Sequence, residues 1–105
     1  MEVLDLEPRS WILLASDGRL LLDVDVHHGP VAATLLLVLD DAECAAYARE
    51  GRTYLSRLTQ EVQDSAPIAA GTTSPYRARD VTAALGAQVT RAVVTWRAQQ
   101  TAEHT

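Results

Sequence analysis

A chain of 105 residues, 48% of them hydrophobic, has material for one self-supporting core and is too short for two ordinary domains. Its net charge of −5, with no Lys and no basic stripe interleaved with aromatics, argues against nucleic-acid binding, because such a surface repels phosphates. The lone Cys44 excludes an internal disulfide, and the longest apolar run, Val31 to Leu39, is about half of the roughly 18 residues a membrane span needs, so we expect a single cytoplasmic domain, 1–105, with no membrane association.

The charge is uneven: residues 1–48 hold nine acids against two arginines, and residues 49–105 hold five against seven. The front half is therefore an acidic surface suited to a basic partner. Met1 to Arg9, with Glu2, Asp5 and Glu7, lacks the layout of a secretory signal. Residues 1–9 are expected to fray, as are residues 100–105.

Ser10 to Ser16 reads as a strand, and Asp17-Gly18 is the dipeptide best suited to a two-residue hairpin loop, where both residues need positive φ. Closing there sets Ala15 opposite Leu20, Leu13 opposite Leu22 and Trp11 opposite Val24 on one face. The next strand alternates, with Leu20, Leu22, Val24 and Val26 inward and Arg19, Asp23, Asp25 and His27 outward. His28-Gly29 offers a second tight turn, and Val31 to Leu39 a third strand with Val31, Ala33, Leu35 and Leu37 inward.

Asp40 followed by Glu43 is an Asp form of the capping box, and Leu39 is placed to staple onto Cys44. A first helix follows, with a stripe of Cys44, Ala48, Gly51, Leu55, Leu58 and Val62. Gly51 either breaks this helix or permits close approach of helix to sheet, and the apolar period continuing in phase through it favours close approach. After a loop from Asp64 to Pro75, a second helix starts at Ser74-Pro75 or at Asp80, with Val81, Leu85, Val89, Ala92, Val93 and Trp96 as its stripe.

The expected fold class is α+β: a three-stranded antiparallel β-meander followed by two helices packed on one face of the sheet, in two layers. That arrangement leaves Ile12, Leu14, Leu21, Leu36 and Val38 together on the reverse face with nothing to cover them. Apolar patches of that kind mark association. With Asp23, Asp25, Asp40 and Asp41 as an acidic rim, this cluster is the candidate interaction surface, for a homodimer or another protein. If helix two crosses the sheet, the same residues are simply core.

Three chemical readings stand beside it. Asp23, Asp25 and His27 project from one strand face and include metal-ligating groups, but successive groups on an extended strand diverge, so a metal or small-ligand domain is the alternative. Enzymatic chemistry has little to draw on. Cys44 with His27 or His28 is the available thiol and imidazole pairing, and Cys44 sits on a buried stripe; a pocket gathering His28, Tyr76 and an acid would be the minimum support. Tyr76, Arg77 and Arg79 could clamp an anion at the start of helix two. No cofactor motif is present. In size, charge and order of elements the chain is similar in general style to small bacterial immunity-type proteins, a likeness that implies a non-catalytic inhibitor acting by binding a toxin and transfers no residue role.

Overall fold

The computed structural model describes residues 1–103. The described chain runs β1 (Glu2–Glu7), β2 (Trp11–Ser16), β3 (Arg19–His28), β4 (Val31–Val38), α1 (Asp41–Glu50), α2 (Arg52–Asp64), a single 3-10 turn (Arg77–Arg79) and α3 (Thr82–Glu103). The strands form one antiparallel meander in the order β1-β2-β3-β4.

The central hairpin closes as its turn chemistry dictates. Asp17 and Gly18 take φ of 53° and 76°, and Trp11, Leu13 and Ala15 pair with Val24, Leu22 and Leu20. The second hairpin closes one residue later than expected, which displaces the pairing of its strands by two. Gly29-Pro30 is its loop, with His28 opposite Val31, and a displacement of two keeps Ala33, Leu35 and Leu37 on the inward face.

Three expectations are corrected. The sheet has four strands, because Glu2–Glu7 is a paired edge strand rather than a frayed end. Its apolar positions are few and the register shifts between Val3 and Asp5, so simple alternation does not reveal it. Arg52 of α2 holds it down through Asp5 (2.9 Å), Glu7 (2.9 Å) and the Leu6 carbonyl (2.8 Å) while lying over the Trp11 ring.

The first helix is two helices. Gly51 has φ 64° and ψ −142°, which only glycine adopts readily, and it ends α1 by donating to the Tyr47 carbonyl before α2 begins. Beyond its two chain neighbours, no other residue has a heavy atom within 4 Å of where its Cβ would be, so close approach is not its role. The apolar phase breaks with the helix: Ala46 is buried and Ala48 exposed. Asp40 caps α1 as expected, its carboxylate accepting from the Glu43 N–H (2.8 Å) while Glu43 Oε1 accepts from the Asp40 N–H (2.9 Å).

The third correction concerns layers. One core lies between the Trp11, Leu13, Leu22, Val24, Val26, Leu35 and Leu37 face and α2, through Leu55, Leu58 and Val62. A second lies on the reverse, where Val3, Leu14, Leu21 and Leu36 meet Val89, with Leu85, Val93 and Trp96 packed at its margin. α3 covers the side opposite α1 and α2, making three layers. Its stripe is the one expected, but it lies on the unexpected face. α3 runs to Glu103, so 100–103 are helical, while His104 and Thr105 lie outside the described residues.

Candidate functional site

The interaction cluster expected on the reverse face is core. Leu14, Leu21 and Leu36 are buried beneath α3, and Ile12 and Val38 are partly buried around them. The exposed patch that pointed to docking is therefore absent. Asp40 is spent on the α1 cap, and Asp41 follows it in the first turn. Neither joins Asp23 and Asp25, which lie on the reverse face of the sheet.

α3 covers that face incompletely, and the reason is how it is tethered. Asp80 accepts from the Leu36 N–H (3.0 Å), and the Val81 N–H donates to the Leu36 carbonyl (2.9 Å), pinning the helix start to β4. From there α3 crosses toward the start of β1, where Met1 and Val3 meet Ala92 and Trp96. The other half of the face stays open. Asp23, Asp25 and Thr34 floor a cleft of about 410 Å³, closed on one side by Val93 and Arg97 of α3 and at one end by the β1–β2 loop through Ser10.

Two acids of this cleft stand without a pairing partner among the described residues. Burial pushes the Asp23 carboxyl up from 3.8 to about 6, and the negative charges of Asp25 and Asp80 add to the effect. Neither Asp23 nor Asp25 has a side-chain hydrogen bond or ion pair among the described residues. Arg9 and Arg97 line the cleft without pairing to them. Asp80 shows the contrast. Burial pushes it up, but hydrogen bonds from Thr82 Oγ1 (2.5 Å) and the backbone N–H groups of Leu36 and Thr82 outweigh burial and hold it below the ordinary carboxylate range.

The remaining candidates are dispersed. The His27 side chain shares the face of Asp23 and Asp25 but is exposed, and its backbone is bracketed by the Gln63 amide, which accepts from the His27 N–H (2.9 Å) and donates to its carbonyl. Among the described residues no three His, Cys, Asp or Glu side chains converge as metal ligands. Cys44 donates to the Leu39 carbonyl (3.8 Å), and burial followed by Asp41, Asp40 and Glu43 pushes its thiol up, which suppresses the thiolate. His28 and Tyr76 do not share the cleft.

The anion-clamp residues are also occupied. Arg79 grips Glu43 with both terminal nitrogens and donates to the Val38 carbonyl (3.0 Å). Arg77 donates to the Pro67 carbonyl (3.3 Å) and Tyr76 to Glu61 (3.3 Å). These bonds join α1, α2 and the loop before α3, which is structural work.

Sequence reasoning singled out Asp23 and Asp25 but missed Thr34, Ser10 and Arg97 as their neighbours. Nothing local distinguishes those three, since they come together through the diagonal path of α3. No described helix is long and apolar enough to cross a membrane. Comparison with family models, with curated proteins and with solved structures finds no match to this chain.

Proposed function

We propose that this chain is a non-catalytic binding domain that takes a cationic group of a protein partner into the cleft between the open half of the sheet and α3. The observation that carries the reading is the pair Asp23 and Asp25, half-buried and with no ion pair or side-chain hydrogen bond among the described residues, although Arg9 and Arg97 line the same cleft. Holding a carboxylate away from water costs free energy, and an incoming guanidinium or ammonium relieves that cost. The acidic front half adds long-range attraction for such a partner. An immunity-type inhibitor, which acts by binding alone, belongs to this class.

The test uses a deca-arginine peptide titrated into the 15N-labelled protein. Saturable shifts at Asp23, Asp25, Thr34 and Val93 are expected. The double variant Asp23→Asn/Asp25→Asn should lose them, and Asp40→Asn/Asp41→Asn should keep them. Shifts spread evenly over every acidic residue, or loss in both variants alike, would refute the cleft as the site.

The size of the cleft favours a second reading, a small cationic ligand, since about 410 Å³ falls within the range of small-molecule sites. Argininamide binding the cleft as tightly as the peptide would favour it.

A further inference from the structure

We infer that the partner presents its basic residues on an extended segment that adds as a fifth strand to the free half of β4, at Val31 to Thr34. This inference rests on the cleft reading above and names how the partner is held.

The backbone of β4 carries the argument. Leu36 turns its N–H and C=O away from β3, where Asp80 and Val81 take them, and Leu37 and Asp80 form an isolated antiparallel bridge. The chain's own residues 80–81 thus already pair with this edge along its second half. Alternation places the N–H and C=O of Ala32 and Thr34 on the same outer side as those of Leu36. No described group takes them, and all four residues from Val31 to Thr34 are exposed.

The two edges of the sheet are treated differently. β1 carries a register shift, three acids, and Arg52 on its Leu6 carbonyl, devices that blunt an edge against pairing. The free half of β4 is Val-Ala-Ala-Thr, regular in register and uncharged, with Pro30 just before it. It is the edge left fit for strand addition.

Charge identifies the occupant. Thr34 lines the cleft and pairs with Asp25, so side chains on the same face of an added strand project beside Thr34 toward Asp25 and Asp23. Asp25 would lie two interstrand spacings from that strand, about 10 Å, a gap that an Arg or Lys side chain and the aspartate bridge together. A second copy of this chain would bring Ala32 and Thr34 to that place and no cation. A basic segment of another protein therefore fits, and self-pairing does not.

The probe is an acetylated, amidated Val-Arg-Val-Arg-Val-Arg hexapeptide. Binding should slow amide exchange at Ala32 and Thr34 by about tenfold or more, as expected for newly hydrogen-bonded edge amides. Thr34→Pro removes one outward N–H without touching the β3 ladder, and should weaken hexapeptide binding about tenfold or more. The same hexapeptide N-methylated at alternate residues should fail against the unaltered protein, which keeps the test intact should Thr34→Pro fold poorly.

Equal binding of methylated and unmethylated hexapeptides, with exchange at Ala32 and Thr34 unchanged, overturns strand addition and leaves the cleft reading standing. If Asp23→Asn/Asp25→Asn also binds as well as the unaltered protein, the cleft reading itself falls. A dimer that forms through β4 and is abolished by Thr34→Pro would overturn the inference in favour of a second copy.

Discussion

Asp23 and Asp80 carry the same side chain in the same neighbourhood, yet their proton affinities move in opposite directions. Asp80 has three donors to offset its burial, and Asp23 has none. Linkage turns this into a stability statement. With its folded-state value raised from 3.8 to about 6, Asp23 binds its proton more tightly in the folded chain than in the unfolded one, so its contribution is most favourable below 3.8 and declines as pH rises to about 6. Asp23→Asn should remove that decline. At pH 7 it should be more stable than the unaltered protein by about 1–2 kcal/mol, a figure reduced from the full pKa difference because solvent still reaches the carboxylate. Urea midpoints from pH 4 to 7 provide the check, and a variant less stable at pH 7 would show that Asp23 has a stabilising partner. A variant that gains stability while losing the basic peptide is the expected mark of a carboxylate kept for binding.

At the scale of elements, Asp80 is the side chain that tethers the start of α3. Asp80 both accepts from the first-turn Thr82 N–H and holds the Leu36 N–H, so it caps the helix and fastens it to β4. Asp80→Ala should cost about 2–4 kcal/mol, combining the loss of a cap with a broken charged hydrogen bond. Asp80→Asn, which keeps an acceptor, should cost less. Thermal unfolding ranks the three proteins, and equal midpoints would mean that α3 is held by its apolar stripe alone. The Asp80 start was readable beforehand as one of two alternatives, because an Asp before a helical period is a local signal. The break at Gly51 is one of two readings and the less favoured, since Cys44, Ala48, Leu55 and Leu58 are compatible with one continuous helix. What divides them is a backbone conformation that glycine permits and the sequence does not require.

For the whole molecule, the decisive fact is that each face of the sheet carries a buried apolar core. Leu13 and Leu14 are adjacent, point to opposite faces, and are both fully buried. Leu13→Ala and Leu14→Ala should therefore each cost about 2–5 kcal/mol. A two-layer protein would lose stability in Leu13→Ala alone and tolerate Leu14→Ala nearly unchanged, so denaturant midpoints of the pair distinguish the two architectures. A hint of the third layer lay in the sequence itself: Leu20-Leu21-Leu22 and Leu35-Leu36-Leu37 are unbroken apolar runs, the mark of strands covered on both sides.

By itself the sequence determined the α+β class, the Asp17-Gly18 closure with the register that follows from it, the Asp40 capping box and the apolar stripe of α3. Each depends on residues a few positions apart, whose conformational preferences act whatever the rest of the chain does. Only the tertiary structure decided that Glu2–Glu7 joins the sheet, that α3 crosses to the reverse face, and that Asp23, Asp25 and Thr34 share an open cleft at a free edge. Those outcomes depend on which apolar surface finds which, and with two apolar faces available the choice is made by packing and by the Asp80 tether rather than by local preference.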